Sequence, residues 1–156
     1  QIRNVQYTLS KYLRALGSKE QSQIRLEQKD GQPLLSFISS NHTDRDEDFF
    51  GSRRITLSKE GNALIFREYS LTNQSKYRTT TLIPEINSFE IQASLITEPS
   101  EARLIRDQTI VKQGDTPFAI TCKIGVDQTT HSIVWLIPPD FFRCFNYDKQ
   151  AEEGAP

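Results

Sequence analysis

Hydrophobic positions at the start of the chain follow a helical period. Ile2, Val5, Leu9, Tyr12, Leu13 and Leu16 recur at three- and four-residue spacings and form one apolar stripe. The spacing predicts an amphipathic helix through about residue 16 or further. No Ser, Thr, Asp or Asn cap precedes the stripe, so an upstream segment is expected to have been removed, and the chain contains no methionine. Gly17-Ser18 offers a helix C-cap, and Ile24 and Leu26 mark renewed helical or extended structure soon after.

Further along, the period shifts to two. Leu34 to Ile38 form a short β-prone run after the turn Asp30-Gly31-Gln32-Pro33. Residues 54–57 and 63–69 flank Lys59-Glu60-Gly61-Asn62, where Gly and Asn tolerate the positive φ of a tight hairpin. Phe89, Ile91, Ala93 and Leu95 alternate with Glu90, Gln92 and Ser94, the pattern of a strand with one buried and one wet face. The mixed stretch from Thr97 to Gly114 reads as a long connection. Residues 118–126 and 132–137 then form a second predicted hairpin around the polar turn 127–130, and Pro138-Pro139 ends it. The expected fold class is α+β, an N-terminal amphipathic helix packed on antiparallel sheet. One domain is expected over residues 1–149, with a disordered tail at 150–156 that has no large apolar side chain.

Composition narrows the partners. With 19 Lys and Arg against 20 Asp and Glu in 156 residues, the net charge is -1, and no global field favours nucleic acid or an anionic membrane surface. The longest near-apolar run, Ser132 to Pro139, falls far short of the roughly 20 residues of a membrane helix. Two cysteines, Cys122 and Cys144, are too few for a structural zinc site. They read as a disulfide outside the cytosol, against the alternative of two buried free thiols.

Little in the chain supports catalysis. His42 and His131 lie in polar loop or turn sequence and read as surface residues, because a nucleophile needs a base held by a third group. Cys144 with His131 as base lacks an activating context, and Cys122 is its evident covalent partner. Asp44, Asp46 and Asp48 alternate as in a calcium loop. However, the sixth position is Phe49 where a glycine is needed, the twelfth is Ile55 where a glutamate is needed, and Arg45 intervenes, so a solvated acidic loop is expected. No glycine-rich phosphate loop is present. The aromatic C-terminal third, Trp135, Phe141, Phe142, Phe145 and Tyr147, lacks basic interleaving and reads as core. No metal, cofactor or catalytic residue is expected.

The order of uncapped helix and hairpins resembles a type IV pilin-like protein cut away from its apolar first half-helix. Ser52-Arg53-Arg54-Ile55-Thr56-Leu57 followed by Gly61-Asn62-Ala63-Leu64-Ile65-Phe66-Arg67 resembles the first hairpin of the J-type minor pseudopilin of type II secretion. Residues 81–91 and 117–124 are similar to two later strands of that family, and the resemblance spans most of the chain. Cys122 and Cys144 depart from the usual J-type pattern, whereas a C-terminal disulfide is a habit of pilins broadly.

The resemblance implies a non-enzymatic structural subunit whose first helix is the remainder of a truncated long pilin-type helix. The missing apolar part would anchor the precursor in the bacterial inner membrane, with this domain in the periplasm. Its partners would be other minor pseudopilins at the filament tip, reached through the N-terminal helix, with Ile2, Val5, Leu9, Tyr12, Leu13 and Leu16 as interface candidates. The same stripe could instead simply cover the sheet. A minor pilin of a type IV pilus or DNA-uptake machine, and an unrelated extracytoplasmic binding or adaptor domain, are the alternatives.

Overall fold

The computed structural model describes residues 1–13, 16, 24–97, 104–111 and 117–137. Within these the chain forms one helix, α1 (Ile2–Leu13), and nine strands. The strands are β1 (Arg25–Lys29), β2 (Gln32–His42), β3 (Gly51–Glu60), β4 (Ala63–Ser70), β5 (Tyr77–Ile83), β6 (Ser88–Thr97), β7 (Leu104–Gln108), β8 (Pro117–Val126) and β9 (Thr129–Leu136). They make two antiparallel sheets, a five-stranded meander in the order β1-β2-β3-β4-β5 and a four-stranded sheet in the order β7-β6-β8-β9.

Local chemistry explains the turns. Asp30 and Gly31 both adopt positive φ, 52° and 73°, which closes β1 onto β2 in two residues with the twist that adjacent strands require. Gly61 (φ 57°) and Asp127 (φ 55°) do the same for the β3–β4 and β8–β9 hairpins. A register shift between Ser39 and His42, with Asn41 at φ 64°, interrupts the ladder before His42 pairs again with Gly51 of β3.

The inner faces of the two sheets share one core. Leu35, Phe37, Ile55, Leu57, Leu64 and Phe66 of the first sheet belong to the same buried cluster as Phe89, Ile91, Ile120, Cys122, Ile124 and Trp135 of the second. Along one side the sheets are stitched by a bridge in which Leu26 and Val111 exchange backbone hydrogen bonds of 3.2 and 2.8 Å. On the other side α1 lies against β5 and β9, and the Trp135 indole donates to the Gln6 carbonyl at 3.4 Å. The crossover between sheets, residues 84–87, is held by backbone bonds from Ile86 to Asn62 (2.6 Å) and from Asn87 to Gly125 (2.7 Å). Gly125 leaves room for the close approach of Ser88, whose Oγ would stand 2.4 Å from a Cβ at this position.

The α+β expectation is corrected by this architecture. Among the described residues the molecule is mostly antiparallel β, with two sheets and one 12-residue N-terminal helix, not the long helix on a sheet of the pilin α+β fold. Strands 54–57 and 63–69 belong to one sheet, while 89–95, 118–126 and 132–137 belong to the other. The strands that escaped the sequence pattern are edges. In β5 (Tyr77–Ile83) five of seven residues are exposed or half-buried, and in β1 (Arg25–Lys29) four of five are exposed, so alternation is erased. β7 emerges inside the stretch read as a connection.

Candidate functional site

The inner face of the first sheet changes character along its strands. Leu57 and Ile55 on β3 are followed on the same face by Arg53, and Leu64 and Phe66 on β4 are followed by Glu68. Cross-strand register then aligns Phe37, Ile55, Glu68 and Arg78 in one row, with Ser39, Arg53 and Ser70 in the next. A charged pair is thus built at the end of an apolar face, under the last turn of α1. Arg53 is 5% exposed and Glu68 8%.

All three guanidinium nitrogens of Arg53 and one carboxylate oxygen of Glu68 have partners. The Arg53 guanidinium donates to Glu68 Oε1 at 2.6 Å, to Asp44 Oδ2 at 3.1 Å and, through Nε, to the Phe49 carbonyl at 2.6 Å. Tyr12 Oη donates to the same Glu68 oxygen at 2.5 Å. Ser39 Oγ donates to the Tyr12 carbonyl at 3.1 Å and lies 2.7 Å from His42 Nε2, whose ring stands 4.9 Å from that of Tyr12. Burial and the bond to Glu68 raise the Tyr12 hydroxyl above its ordinary value, while burial and the Arg53 charge lower His42. Among the described residues no buried side-chain polar atom lacks a partner.

The acidic loop closes the arrangement from outside. Arg78 grips Asp44 with two bonds of 2.6 and 3.0 Å, and Lys76 reaches Asp46 at 2.6 Å and Asp48 at 3.0 Å. The loop is pre-bent, because Asp44 and Asp46 accept from the amides two residues on, and Asp46 caps the single 3-10 turn Glu47–Phe49. Phe49 is buried, with the Arg78 guanidinium 3.9 Å from its ring centroid. The hydrogen bonds from Arg78 and Lys76 hold Asp44 and Asp46, respectively, below the usual carboxylate range.

Two expectations change here. The loop 44–48 is clamped by three cations, Arg53 of β3, Lys76 just before β5 and Arg78 within it, where a solvated loop was expected, and no group of three His, Cys, Asp or Glu among the described residues could hold a metal. His42 is half-buried against Tyr12 where a surface residue was expected. The signal was present in the sequence: Arg53 and Glu68 sit two residues beyond Ile55 and Phe66, on the continuation of a buried face.

The other candidates are not brought to this site. Val5, Leu9, Leu13 and Leu16 are buried in the chain's own core, Tyr12 belongs to the charged cluster, and Ile2 is half-buried beside the core. Cys122 faces inward between Ile91 and Ile133, where burial pushes its thiol up to about 12. His131 pairs with Ile124 one step along the sheet. Cys144, and with it the expected disulfide, lies outside the described residues, as do Phe141, Phe142, Phe145 and Tyr147 and the tail 150–156.

No protein-family profile and no curated protein sequence matches the chain. Its fold is shared with a type 2 secretion protein. A chain of the GspK-GspI-GspJ complex from the enterotoxigenic Escherichia coli type 2 secretion system superposes with a TM-score of 0.57 at 15% identity. The match covers 87% of this chain and 96% of that one. A pseudopilin-like fold is therefore supported at the level of architecture. The clasp of Tyr12, Arg53, Glu68 and Asp44 sits within that architecture as the junction between helix, sheet and loop.

Proposed function

We propose that the chain is a non-enzymatic structural subunit of a type II secretion pseudopilus, the J-type minor pseudopilin, which assembles with other minor pseudopilins at the filament tip. The observation that carries this reading is the fold likeness, which spans nearly all of both chains. It converges with the sequence resemblance, whose quoted segments correspond to the β3–β4 hairpin, the passage from β5 into β6, and β8. The clasp suits such a part. It is a set of paired charges that ties the helix to the sheet and to the loop.

In this reading an apolar helix upstream of Gln1 anchors the precursor in the bacterial inner membrane and the domain faces the periplasm. Among the described residues no helix is long and apolar enough to cross a membrane. Deleting the gene in its own host tests the function. The expected result is that exported proteins accumulate in the periplasm and that the restored gene releases them. Normal export together with lost pilus function or DNA uptake would replace the secretion role by that of a type IV minor pilin.

A further inference from the structure

Strand alternation gives the clasp a reverse side. Arg54, Tyr69 and Tyr77 each adjoin a clasp residue, Arg53, Glu68 and Arg78 respectively, and therefore stand on the outer face of the same sheet. Register aligns Ile38, Arg54, Tyr69 and Tyr77 in one row across four strands, and the two tyrosine rings lie 5.6 Å apart. Leu71 follows β4 and Phe50 precedes β3 at the same end. Phe50, Leu71 and Tyr77 are 60%, 36% and 57% exposed. Beside the row a groove of about 370 Å³ is lined by Leu34, Thr56, Arg67 and Tyr69.

We propose that this outer end of β3, β4 and β5 is a docking surface for a neighbouring protein subunit that presents a carboxylate among apolar side chains. Tyrosine and arginine are the residues that most often carry binding energy at interfaces, and clustered exposed apolar side chains mark such sites. Charge specifies the partner. Arg54 is exposed and makes no ion pair among the described residues, and its row neighbours Ile38, Tyr69 and Tyr77 bring no acid, so the row presents a positive charge that a partner's carboxylate would complement. Arg67, by contrast, is already paired with Glu60. The clasp behind the row holds the strands in register, which lowers the ordering cost of binding.

The identity of the partner as another subunit of the assembly rests on the function proposed above. The test uses the full-length protein co-expressed with the other pilin-like tip subunits of its own secretion system, purified as a complex. Arg54→Glu and Tyr77→Ala are expected to weaken association about tenfold or more each, with melting temperature unchanged, while the control charge reversal Lys123→Glu on the other sheet has no effect. Undiminished association of both variants would overturn the docking surface while leaving the assembly role intact. Absence of association by the unaltered protein would overturn both. Self-association of the chain alone that Arg54→Glu abolishes would replace the partner by a second copy and overturn the proposal as stated.

Discussion

Tyr12 Oη donates to Glu68 Oε1 at 2.5 Å, so the last turn of the only described helix is tied to β4 across 56 residues of sequence. Glu68 accepts at the same oxygen from Arg53, and Arg53 in turn reaches the loop carboxylate of Asp44. Helix, sheet and loop therefore meet in one chain of charge-assisted bonds, the kind whose loss costs more than its pairwise count suggests.

Arg53→Met is expected to destabilise the protein by about 3–5 kcal/mol, because it leaves Glu68 buried without its cation. Glu68→Leu added to Arg53→Met is expected to recover a large part of that loss, since the unpaired buried carboxylate is gone. Urea unfolding of both single variants and the double variant measures the coupling, and additive losses would show that the pair does not act as a unit.

Stability depends on pH through three sets of groups. His42 is lowered in the folded state from 6.5, so its contribution is lost as pH falls from about 6.5 toward the folded value. Asp44, Asp46 and Glu60 are lowered too, and their contributions are lost in a second, more acidic step below about 4. Tyr12 is raised, so its contribution is present below about pH 10 and lost as pH rises beyond that. Melting temperature against pH is expected to lose its step near pH 6 in His42→Gln and its alkaline fall in Tyr12→Phe.

Val5→Asp and Leu9→Asp are expected to lower the melting temperature sharply, since both side chains are fully buried against the sheets and a charge there lacks a partner. Tyr7→Asp, at a position of the same helix that is 74% exposed, is expected to leave it nearly unchanged. Thermal denaturation of the three variants decides the matter. Unchanged stability in the first two would mean that the stripe faces a partner instead of the core.

Cys122 is expected to resist alkylation in the native protein at pH 8, because it is buried and its thiolate is disfavoured. Denaturing the full chain without reductant then counts the thiols. None reactive is the outcome expected for a bond to Cys144, and two reactive thiols would leave Cys122 as a free thiol of the core.

Periodicity alone determined the helix stripe of Val5, Leu9 and Leu13 and the central strands around Ile55, Phe66, Ile91 and Ile120, because burial of one face leaves its period in the sequence. Hairpin positions at Gly61 and Asp127 were legible for the same local reason, backbone conformations that few residues adopt. Only the tertiary structure decided the rest. Edge strands such as β1 and β5 are exposed on most sides and carry no alternation, so the division into two sheets was not written in any single segment. The clasp joins residues 12, 44, 53, 68 and 78, and a carboxylate in the sequence looks the same whether water or an arginine 34 residues away neutralises it. Charge pairing is set by which strands become neighbours, and that is fixed only when the whole core closes.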